Sequence, residues 1–306
     1  MSNDNFSRLN FTDLGIIVRR DGADEQRVPC PRCDRGARDD ALGVNVVTGA
    51  FHCFRCEWRG RVGRESQALP AVVRRIDDPG VTERKRERLR RTWAQCVDLS
   101  STEARAVRTY LESRALGEIL KAPPKALRAH PGLEYWDSSR CLGKFPAMVA
   151  LFQASNDSPV TLHVTWLRSD GSAKASVPVP KKTLGVPKRG ATRGGAIRLY
   201  PPRDGTLGVA EGIESALSLH LIRRIPVWSA RCADGLEHIE LPKNLRRIEI
   251  GVDIDPSGKG QQVAQALAVR MRRYSPRTQC FFVTPEVDGS GDLNDELRQA
   301  RTNGHR

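Results

Sequence analysis

Short runs of alternating hydrophobic and polar residues occur near the N-terminus of this chain. Residues 41–47 show the alternation, and residues 50–53 continue it after the turn at Thr48-Gly49. A period of two places successive side chains on opposite faces of a strand, so the pattern predicts a small β-hairpin. Upstream, the apolar residues within 6–17 predict one short amphipathic element.

The middle of the chain changes from a helical period to a strand period. From residue 82 to about residue 113 the apolar positions recur at helical spacing, and Pro123-Pro124 ends the second helical stretch. Residues 126–200 then have the pattern of mainly strands. They include a buried apolar run at 145–152 and an alternating run at 160–167.

Strands and helices alternate after Pro201-Pro202. Because helices join consecutive parallel strands through right-handed crossovers, this order predicts a mostly parallel sheet. The predicted strands are 206–210, 225–229, 247–252 and 279–283, and the predicted helices are 213–222 and 261–273.

Two pairs of cysteines flank the predicted hairpin. Cys30 and Cys33 form one Cys-x-x-Cys sequence, and Cys53 and Cys56 form a second after an interval of nineteen residues. This is the spacing of a four-thiolate zinc ribbon, in which two turns place four sulfurs around one ion. Since all four positions of the ion are then occupied by cysteine, we expect the zinc to be structural.

Two aromatic residues lie beside the second pair of cysteines. We expect Phe54 to pack within the ribbon. For Trp58 two interpretations stay open, because its ring could pack the ribbon or stack on an unpaired base of a nucleic acid.

The composition adds a basic bias. The 306 residues have a net charge of +14, and residues 66–200 carry 24 lysines and arginines against 12 acidic residues. Such a region is typical of proteins that bind a polyanion, and we expect nucleic acid. Eight cysteines, four of them at ligand spacing, favour a reducing compartment over a disulfide framework. No apolar run approaches the roughly 20 residues that span a bilayer, so we expect a cytoplasmic protein without membrane contact.

Acidic residues follow two of the predicted strands. Glu211 comes after strand 206–210, and Asp253 and Asp255 come after strand 247–252. If these strands are neighbours in a parallel sheet, three carboxylates meet at its C-terminal edge, where such folds bind ligands. Carboxylates that close together need a cation, and magnesium suits oxygen ligands and water. In phosphoryl transfer, magnesium bridges phosphate oxygens and stabilises the developing charge.

A third acidic stretch begins at Asp292, after the last predicted strand. Two interpretations stay open here: Asp292 adds a metal ligand, or the stretch only caps a helix. The motif at Glu211 and the motif at Asp253 and Asp255 are each a weak signal alone, but the two together at strand ends favour a metal site.

Several segments carry a family resemblance. They are CPRC at 30–33, HCFRC at 52–56, VAEGIESALS at 209–218 and GVDIDPSG at 251–258, with shorter matches at 146–149, 163–167 and 194–199. In these segments the chain resembles phage and plasmid DNA primases that join an N-terminal zinc-binding domain to a C-terminal Toprim domain. One departure is Glu57, which stands where glycine is common in such ribbons.

The resemblance implies a DNA-dependent RNA primase in a bacterial host cell, which makes short RNA primers on single-stranded DNA for phage or plasmid replication. Glu211 would assist nucleotidyl transfer or orient a metal, and Asp253 and Asp255 would hold magnesium or manganese. The implied partners are the single-stranded template, ribonucleoside triphosphates and a separate replicative helicase, since the chain has no Gly-x-x-x-x-Gly-Lys-Ser/Thr loop. The implied nucleic-acid or nucleotide ligands are Arg168, Lys174, Lys181, Lys182 and Arg198, each of which could also be an ordinary surface residue.

The predicted fold class is multidomain, with a small β zinc ribbon, an α+β middle domain and an α/β Toprim domain with a mostly parallel sheet. We predict the ribbon at 1–63, a linker at 64–82, the basic N-terminal part of the primase core at 83–203 and the Toprim domain at 204–306.

Two other functions stay open. Toprim domains also serve metal-dependent nucleases, and a DNA-binding adaptor could keep the fold without catalysis. Incubating DNA with metal but without nucleotides separates a nuclease from a primase. Glu211→Ala and Asp253→Ala variants separate an enzyme from an adaptor, because an adaptor would lose nothing.

Overall fold

The computed structural model describes residues 11–18, 24–33, 40–56, 58–62, 79–137, 140–186, 191–286, 289 and 291–303. They belong to two compact units, residues 1–74 and residues 75–306. Most of the predicted linker, residues 64–78, lies outside the described residues, and so does Glu57. None of the described helices is both long and apolar enough to cross a membrane.

The first unit is a four-stranded antiparallel sheet. Its strands pair in chain order and are β1 (Glu25–Val28), β2 (Leu42–Asn45), β3 (Ala50–Cys53) and β4 (Arg59–Arg61). The predicted hairpin is therefore confirmed as β2 and β3. Gly49 closes its turn at a φ of +73°, a backbone conformation that glycine adopts without steric cost. A 3-10 turn at Phe11–Leu14 stands within the predicted amphipathic element.

The core of the first unit is small. Phe11, Ile16, Leu42, Val44 and Phe51 are buried in it together with a few smaller side chains. A core of this size buries little apolar area, so the unit needs an additional source of stability such as a bound metal.

The second unit begins with two helices. α1 is Pro79–Ala94 and α2 is Arg105–Ser113. α1 starts earlier than the predicted residue 82, because proline has no amide hydrogen to leave unpaired in a first turn. In α2, Val107, Tyr110 and Leu111 are buried.

The middle sheet is antiparallel and contains the longest strands. In the order of pairing these are β5 (Leu127–Asp137), β6 (Arg140–Gln153), β7 (Pro159–Trp166) and β8 (Lys181–Thr183). Both faces of β6 are covered, since Met148 and Phe152 join one core cluster whereas Ala147 and Val149 join another. This explains why residues 145–152 are a continuous apolar run rather than an alternating one.

The C-terminal part of the second unit is a five-stranded sheet with helices. The strands, in spatial order, are β13 (Gln279–Val283), β12 (Arg247–Gly251), β10 (Thr206–Ala210), β11 (Val227–Ser229) and β9 (Ile197–Arg198). Every pair is parallel except β11 with β9. The predicted fold class, including the mostly parallel sheet, is confirmed.

Four helices accompany this sheet: α3 (Ile213–Arg223), α4 (Ala233–His238), α5 (Lys259–Tyr274) and α6 (Leu293–Asn303). The sequence patterns predicted α3 and α5. They did not predict α4, whose six residues are too few for a helical period to show. Asp292 caps α6, as one of its two interpretations expected: its Oδ1 accepts hydrogen bonds from the amides of Asn294 at 2.7 Å and of Asp295 at 3.0 Å.

Candidate functional site

The four cysteines of the first unit converge on one point. The Sγ atoms of Cys30 and Cys56 are 3.8 Å apart, those of Cys33 and Cys53 are 3.7 Å apart, and all four lie within 4.8 Å of one another. Four sulfurs at about 2.3 Å from a central ion would be about 3.8 Å apart at the corners of a tetrahedron. The spacing of the sulfurs therefore fits a tetrahedral zinc ion.

Backbone amides support this cluster. The N–H groups of Arg55 and Cys56 point to Sγ of Cys53 at 3.4 and 3.5 Å. Such donors stabilise a thiolate and hold the turn that carries the second pair. Because four sulfurs fill a tetrahedral ion's positions, the cluster has the form of a structural site.

Of the two aromatic residues beside the cluster, Trp58 packs against the ribbon and Phe54 is exposed. Trp58 is half-buried, with its ring centroid 4.7 Å from that of Phe51 and the Arg32 guanidinium 4.7 Å above it. Phe54 is 59% exposed, so the expectation that it packs within the ribbon was wrong. Its ring instead lies across the surface, 4.0 Å from the guanidinium of Arg27.

The acidic residues of the second unit stand at the C-terminal edge of the parallel sheet. Glu211 follows β10 and Asp253 follows β12, and these two strands are parallel neighbours. Asp292 joins them because a β-bridge between Ile254 and Gly291 places its loop beside Asp253. Adjacent strand ends thus bring together acids that are far apart in the chain, at the edge where such folds bind ligands.

The pKa of Asp253 reflects how closely these groups interact. Burial raises the pKa of Asp253 to about 7, and the negative charges of Glu211 and Asp292 add to the rise. The hydroxyl of Ser215 donates a hydrogen bond to Asp253 and the charge of Lys181 opposes the rise. One oxygen of this carboxylate, Oδ1, is buried without a hydrogen-bond partner. A divalent cation would stabilise such a buried, unpaired carboxylate oxygen, because it offsets the negative charge of the carboxylates around it.

Glu211 is held by a helix that the sequence patterns missed. Burial raises its pKa, while the backbone N–H of Ala233, the first residue of α4, donates a hydrogen bond that lowers it. Asp255 adds to the rise, and Lys181 opposes it. Among the described residues the four cysteines are the only group of three or more ligands placed to hold a metal ion, so the carboxylates do not form a closed cage. Magnesium, which keeps several waters in its shell, fits such an open arrangement.

Asp255 lies nearby but its carboxylate serves its own loop. It accepts hydrogen bonds from the hydroxyl of Ser257, from the amide of Ser257 at 2.8 Å and from the amide of Gly260 at 3.1 Å. The Ser257 hydroxyl bond is the main reason that the pKa of Asp255 is lowered. The loop is tight, since a Cβ on Gly260 would lie 2.0 Å from the carbonyl oxygen of Asp253. Asp255 therefore holds the loop that leads into α5 in this structure.

The five basic residues predicted as ligands fall into two groups. Lys181 lies beside the acidic edge, where its charge lowers the pKa of Glu211 and of Asp253 against the effect of burial. Lys174 is half-buried near Lys181, and desolvation followed by the charge of Lys181 lowers its pKa.

The other three basic residues contact their own surroundings. Lys182 donates to the carbonyl of Trp136 at 3.0 Å, and Arg168 is exposed, 3.7 Å from the Asp170 carboxylate. The guanidinium of Arg198 donates to two backbone carbonyls at 3.0 and 3.1 Å, forms an ion pair with Asp157 and covers the ring of Trp228.

The sequence patterns did not single out Glu214 or its partner Tyr110, which lie near the acidic edge. Glu214 accepts hydrogen bonds from the hydroxyl of Tyr110 at 2.7 Å and from Nζ of Lys181 at 2.8 Å. A glutamate in the first turn of a helix is common for its interaction with the helix dipole, so the type of residue carried no signal. Its position among apolar residues of α3 was the one available clue.

Comparisons with known proteins agree with this arrangement of parts. Residues 206–302 match the Toprim domain, and residues 83–194 match a domain of unknown function, DUF7146. No curated protein matches the chain.

Similar solved structures include three primases. The primase fragment of the bacteriophage T7 primase-helicase protein has 15% identity and a TM-score of 0.38, over 92% of this chain and 95% of that chain. The Aquifex aeolicus primase, with zinc-binding and RNA polymerase domains, has 14% identity and a TM-score of 0.39, over 96% and 82%. The E. coli primase catalytic core has 12% identity and a TM-score of 0.44, over 72% and 76%.

The family match and the geometry of the sites are independent of those superpositions. Residues 206–302 carry the acidic edge of the parallel sheet, and the four-cysteine cluster precedes them in the chain. The chain thus combines a four-cysteine cluster with a Toprim domain, which fits a primase that has zinc-binding and Toprim domains.

Proposed function

We propose that this protein is a DNA-dependent RNA primase, which joins ribonucleotides into short RNA primers on single-stranded DNA. The observation that carries the proposal is the buried, unpaired oxygen of Asp253 between Glu211 and Asp292 at the C-terminal edge of the Toprim sheet. A cluster of carboxylates at this place suits nucleotidyl transfer, because phosphate chemistry needs cations close to the reacting oxygens.

Glu211, Asp253 and the second carboxylate oxygen of Asp292, whose Oδ1 caps α6, would hold one or two magnesium or manganese ions. Bound there, such an ion would stabilise the negative charge that develops on the phosphate during nucleotidyl transfer. The amide of Ala233 orients Glu211, and Ser215 orients Asp253 through its hydroxyl. Asp255 holds the loop before α5 closed, and would join the metal ligands only by exchanging its bonds to Ser257 and Gly260.

The basic residues on this side would bind the triphosphate. Lys181 and Lys174 lie close enough to the carboxylates for the charge of Lys181 to act on Glu211 and for the two lysines to act on each other. The excess of positive charge over residues 66–200 would attract the template and the growing RNA.

The ribbon would bind single-stranded template, with zinc as its structural ion. The exposed ring of Phe54 next to Arg27 offers an aromatic and a cationic surface, which is the combination that stacks bases and contacts phosphates. We propose the boundaries 1–63 for this domain, 64–82 for a linker, 83–203 for the basic part of the core and 204–306 for the Toprim domain. A separate helicase would supply the unwound strand.

Primer synthesis on a library of short single-stranded templates tests the proposal. The full chain is incubated with the four ribonucleoside triphosphates and magnesium or manganese, and short RNA products are resolved on a gel. We expect products from the unchanged protein and at least a hundredfold less from Asp253→Asn, with DNA binding retained. Absence of RNA on every template, with either ion and with or without a replicative helicase, would refute the assignment.

A matched control separates loss of chemistry from loss of structure. Glu249 is also a buried carboxylate of the Toprim sheet, but it is paired with Arg223 and Arg247. We expect Glu249→Gln to leave primer synthesis intact at a temperature where the protein is folded. In a parallel reaction without nucleotides, cleavage of labelled DNA would instead assign a nuclease, and an Asp253→Asn protein with full biological activity would assign an adaptor.

A further inference from the structure

Glu214 is almost fully buried, yet it carries a carboxylate. Its side chain is 4% exposed and stands in the first turn of α3. The hydroxyl of Tyr110 donates to Oε1 at 2.7 Å, and Nζ of Lys181 donates to Oε2 at 2.8 Å. Three elements therefore meet at one carboxylate: α2, β8 and α3. A buried carboxylate is tolerated when both oxygens are paired in this way.

The surroundings keep Glu214 ionised. Burial alone would raise its pKa, but the charge and hydrogen bond of Lys181, the hydroxyl of Tyr110 and the charge of Lys174 lower it to about 2. Burial and the negative charge of Glu214 raise the pKa of Tyr110, so its hydroxyl stays a donor. Glu214 is thus an anion at neutral pH, bonded to Lys181 and close enough to Lys174 to respond to its charge.

Lys181 connects this anion to the acidic edge of the sheet. Its side chain is 34% exposed, and its charge acts on both Glu211 and Asp253. An ammonium has three protons, and the bond to Glu214 uses one of them. The rest of the ammonium can donate to another oxygen on the side of the acidic edge, where a phosphate would lie.

We propose that Glu214 is a positioning residue, which fixes the ammonium of Lys181 beside the carboxylates so that Lys181 can bind the phosphate oxygens of a ribonucleoside triphosphate. Tyr110 anchors the pair to the helix that packs under the middle sheet. A lysine side chain that is already fixed loses less conformational freedom when the ligand arrives, so the triphosphate binds more tightly. This inference rests on the proposed function and names the group that prepares its nucleotide site.

A double-mutant cycle on the full chain tests the positioning. Binding of ATP and of GTP is measured by titration calorimetry with calcium in place of magnesium, for the unchanged protein, Glu214→Gln, Lys181→Ala and the double variant. We expect each single change to weaken binding about tenfold, which is about 1.4 kcal/mol. If Glu214 acts through Lys181, the double variant is no weaker than Lys181→Ala, and KM for the triphosphates rises about tenfold in Glu214→Gln while kcat changes less than threefold.

Two further variants separate positioning from general stability. Tyr110→Phe removes only the hydroxyl, so it should weaken binding about threefold even if Glu214→Gln does not fold. Glu249→Gln removes a carboxylate that is 2% exposed and held by Arg223 and Arg247. Arg223 lies nine residues along α3 from Glu214, about 14 Å away. Glu249→Gln should lower thermal stability and leave triphosphate binding unchanged.

The outcomes divide cleanly. Additive losses in the cycle, tighter binding by Glu214→Gln, or equal weakening by Glu249→Gln would each overturn the positioning role. A coupled cycle in a protein that makes no RNA would support the positioning role and refute the primase. RNA synthesis together with an additive cycle would support the primase and refute the positioning role.

Discussion

Replacing Glu214 with glutamine removes one negative charge from the interior of the second unit and changes little else in shape. The pKa of Glu214 falls from 4.5 to about 2 in the folded protein because Lys181, Tyr110 and Lys174 outweigh burial. Each pKa unit corresponds to about 1.4 kcal/mol, so the ionised form adds on the order of 3 kcal/mol to the free energy of unfolding at neutral pH. Glutamine mimics the protonated side chain and should lose this amount.

The loss should depend on pH in a defined direction. A carboxyl group with a lowered folded pKa stabilises the protein fully above its unfolded pKa, here about 4.5, and loses that contribution as the pH falls toward 2. At pH 3.5 the difference between the two proteins should therefore shrink to about 2 kcal/mol.

Guanidinium chloride unfolding at pH 7.0 and at pH 3.5 measures both quantities. Tryptophan fluorescence follows the second unit, which holds four of the five tryptophans. Asp170→Asn serves as the matched carboxylate control, since its side chain is exposed and should change stability little. A difference below about 1 kcal/mol at pH 7.0, or one that does not shrink at pH 3.5, would refute the reasoning.

Three other predictions concern the ribbon, Arg198 and the acidic edge. Cys53→Ser, or removal of metal with a chelator, should unfold the ribbon and leave the melting of residues 75–306 unchanged in calorimetry. Metal analysis of the intact protein should give one zinc per chain. Arg198→Ala should lower the melting temperature but leave DNA affinity within twofold by fluorescence anisotropy, because its guanidinium is used by backbone carbonyls and a tryptophan ring. Gly260→Ala should weaken manganese binding at least tenfold, as measured by paramagnetic relaxation. The reason is that the new methyl group would lie 2.0 Å from the carbonyl oxygen of Asp253. Gly185→Ala is the control and should have no effect, because nothing lies within 4 Å of a methyl group there.

The zinc cluster and the sheet were predictable because their signals are local. Two Cys-x-x-Cys turns place sulfurs through bonds and short-range turns, and the four Sγ atoms do converge. The bounds of β10 and β13 agree with the predicted strands, since a short apolar run between polar flanks defines a buried strand. The order of strands and helices then required β10 and β12 to be parallel, and their pairing as neighbours brought Glu211 and Asp253 together.

The direction in which individual side chains point was not predictable in this way. Asp253 and Asp255 have the spacing of two residues on one face, yet the turn after β12 directs Asp255 to the amides of Ser257 and Gly260. Likewise, the sequence does not distinguish a basic residue that is available to a ligand from one that packs within the protein. Arg198 is of the second kind, because its guanidinium covers the ring of Trp228.

The amino-acid sequence alone determined the parts of this protein: a four-thiolate cluster, a basic middle and a parallel sheet with acids at its strand ends. Those features arise from spacing and periodicity within a few residues, so they can be read from the sequence without knowing how the chain packs. Only the tertiary structure decided that Tyr110, Lys181 and Glu214 share one buried charge. Their contact joins segments as many as 104 residues apart, and such a contact depends on how the whole unit packs rather than on any local pattern.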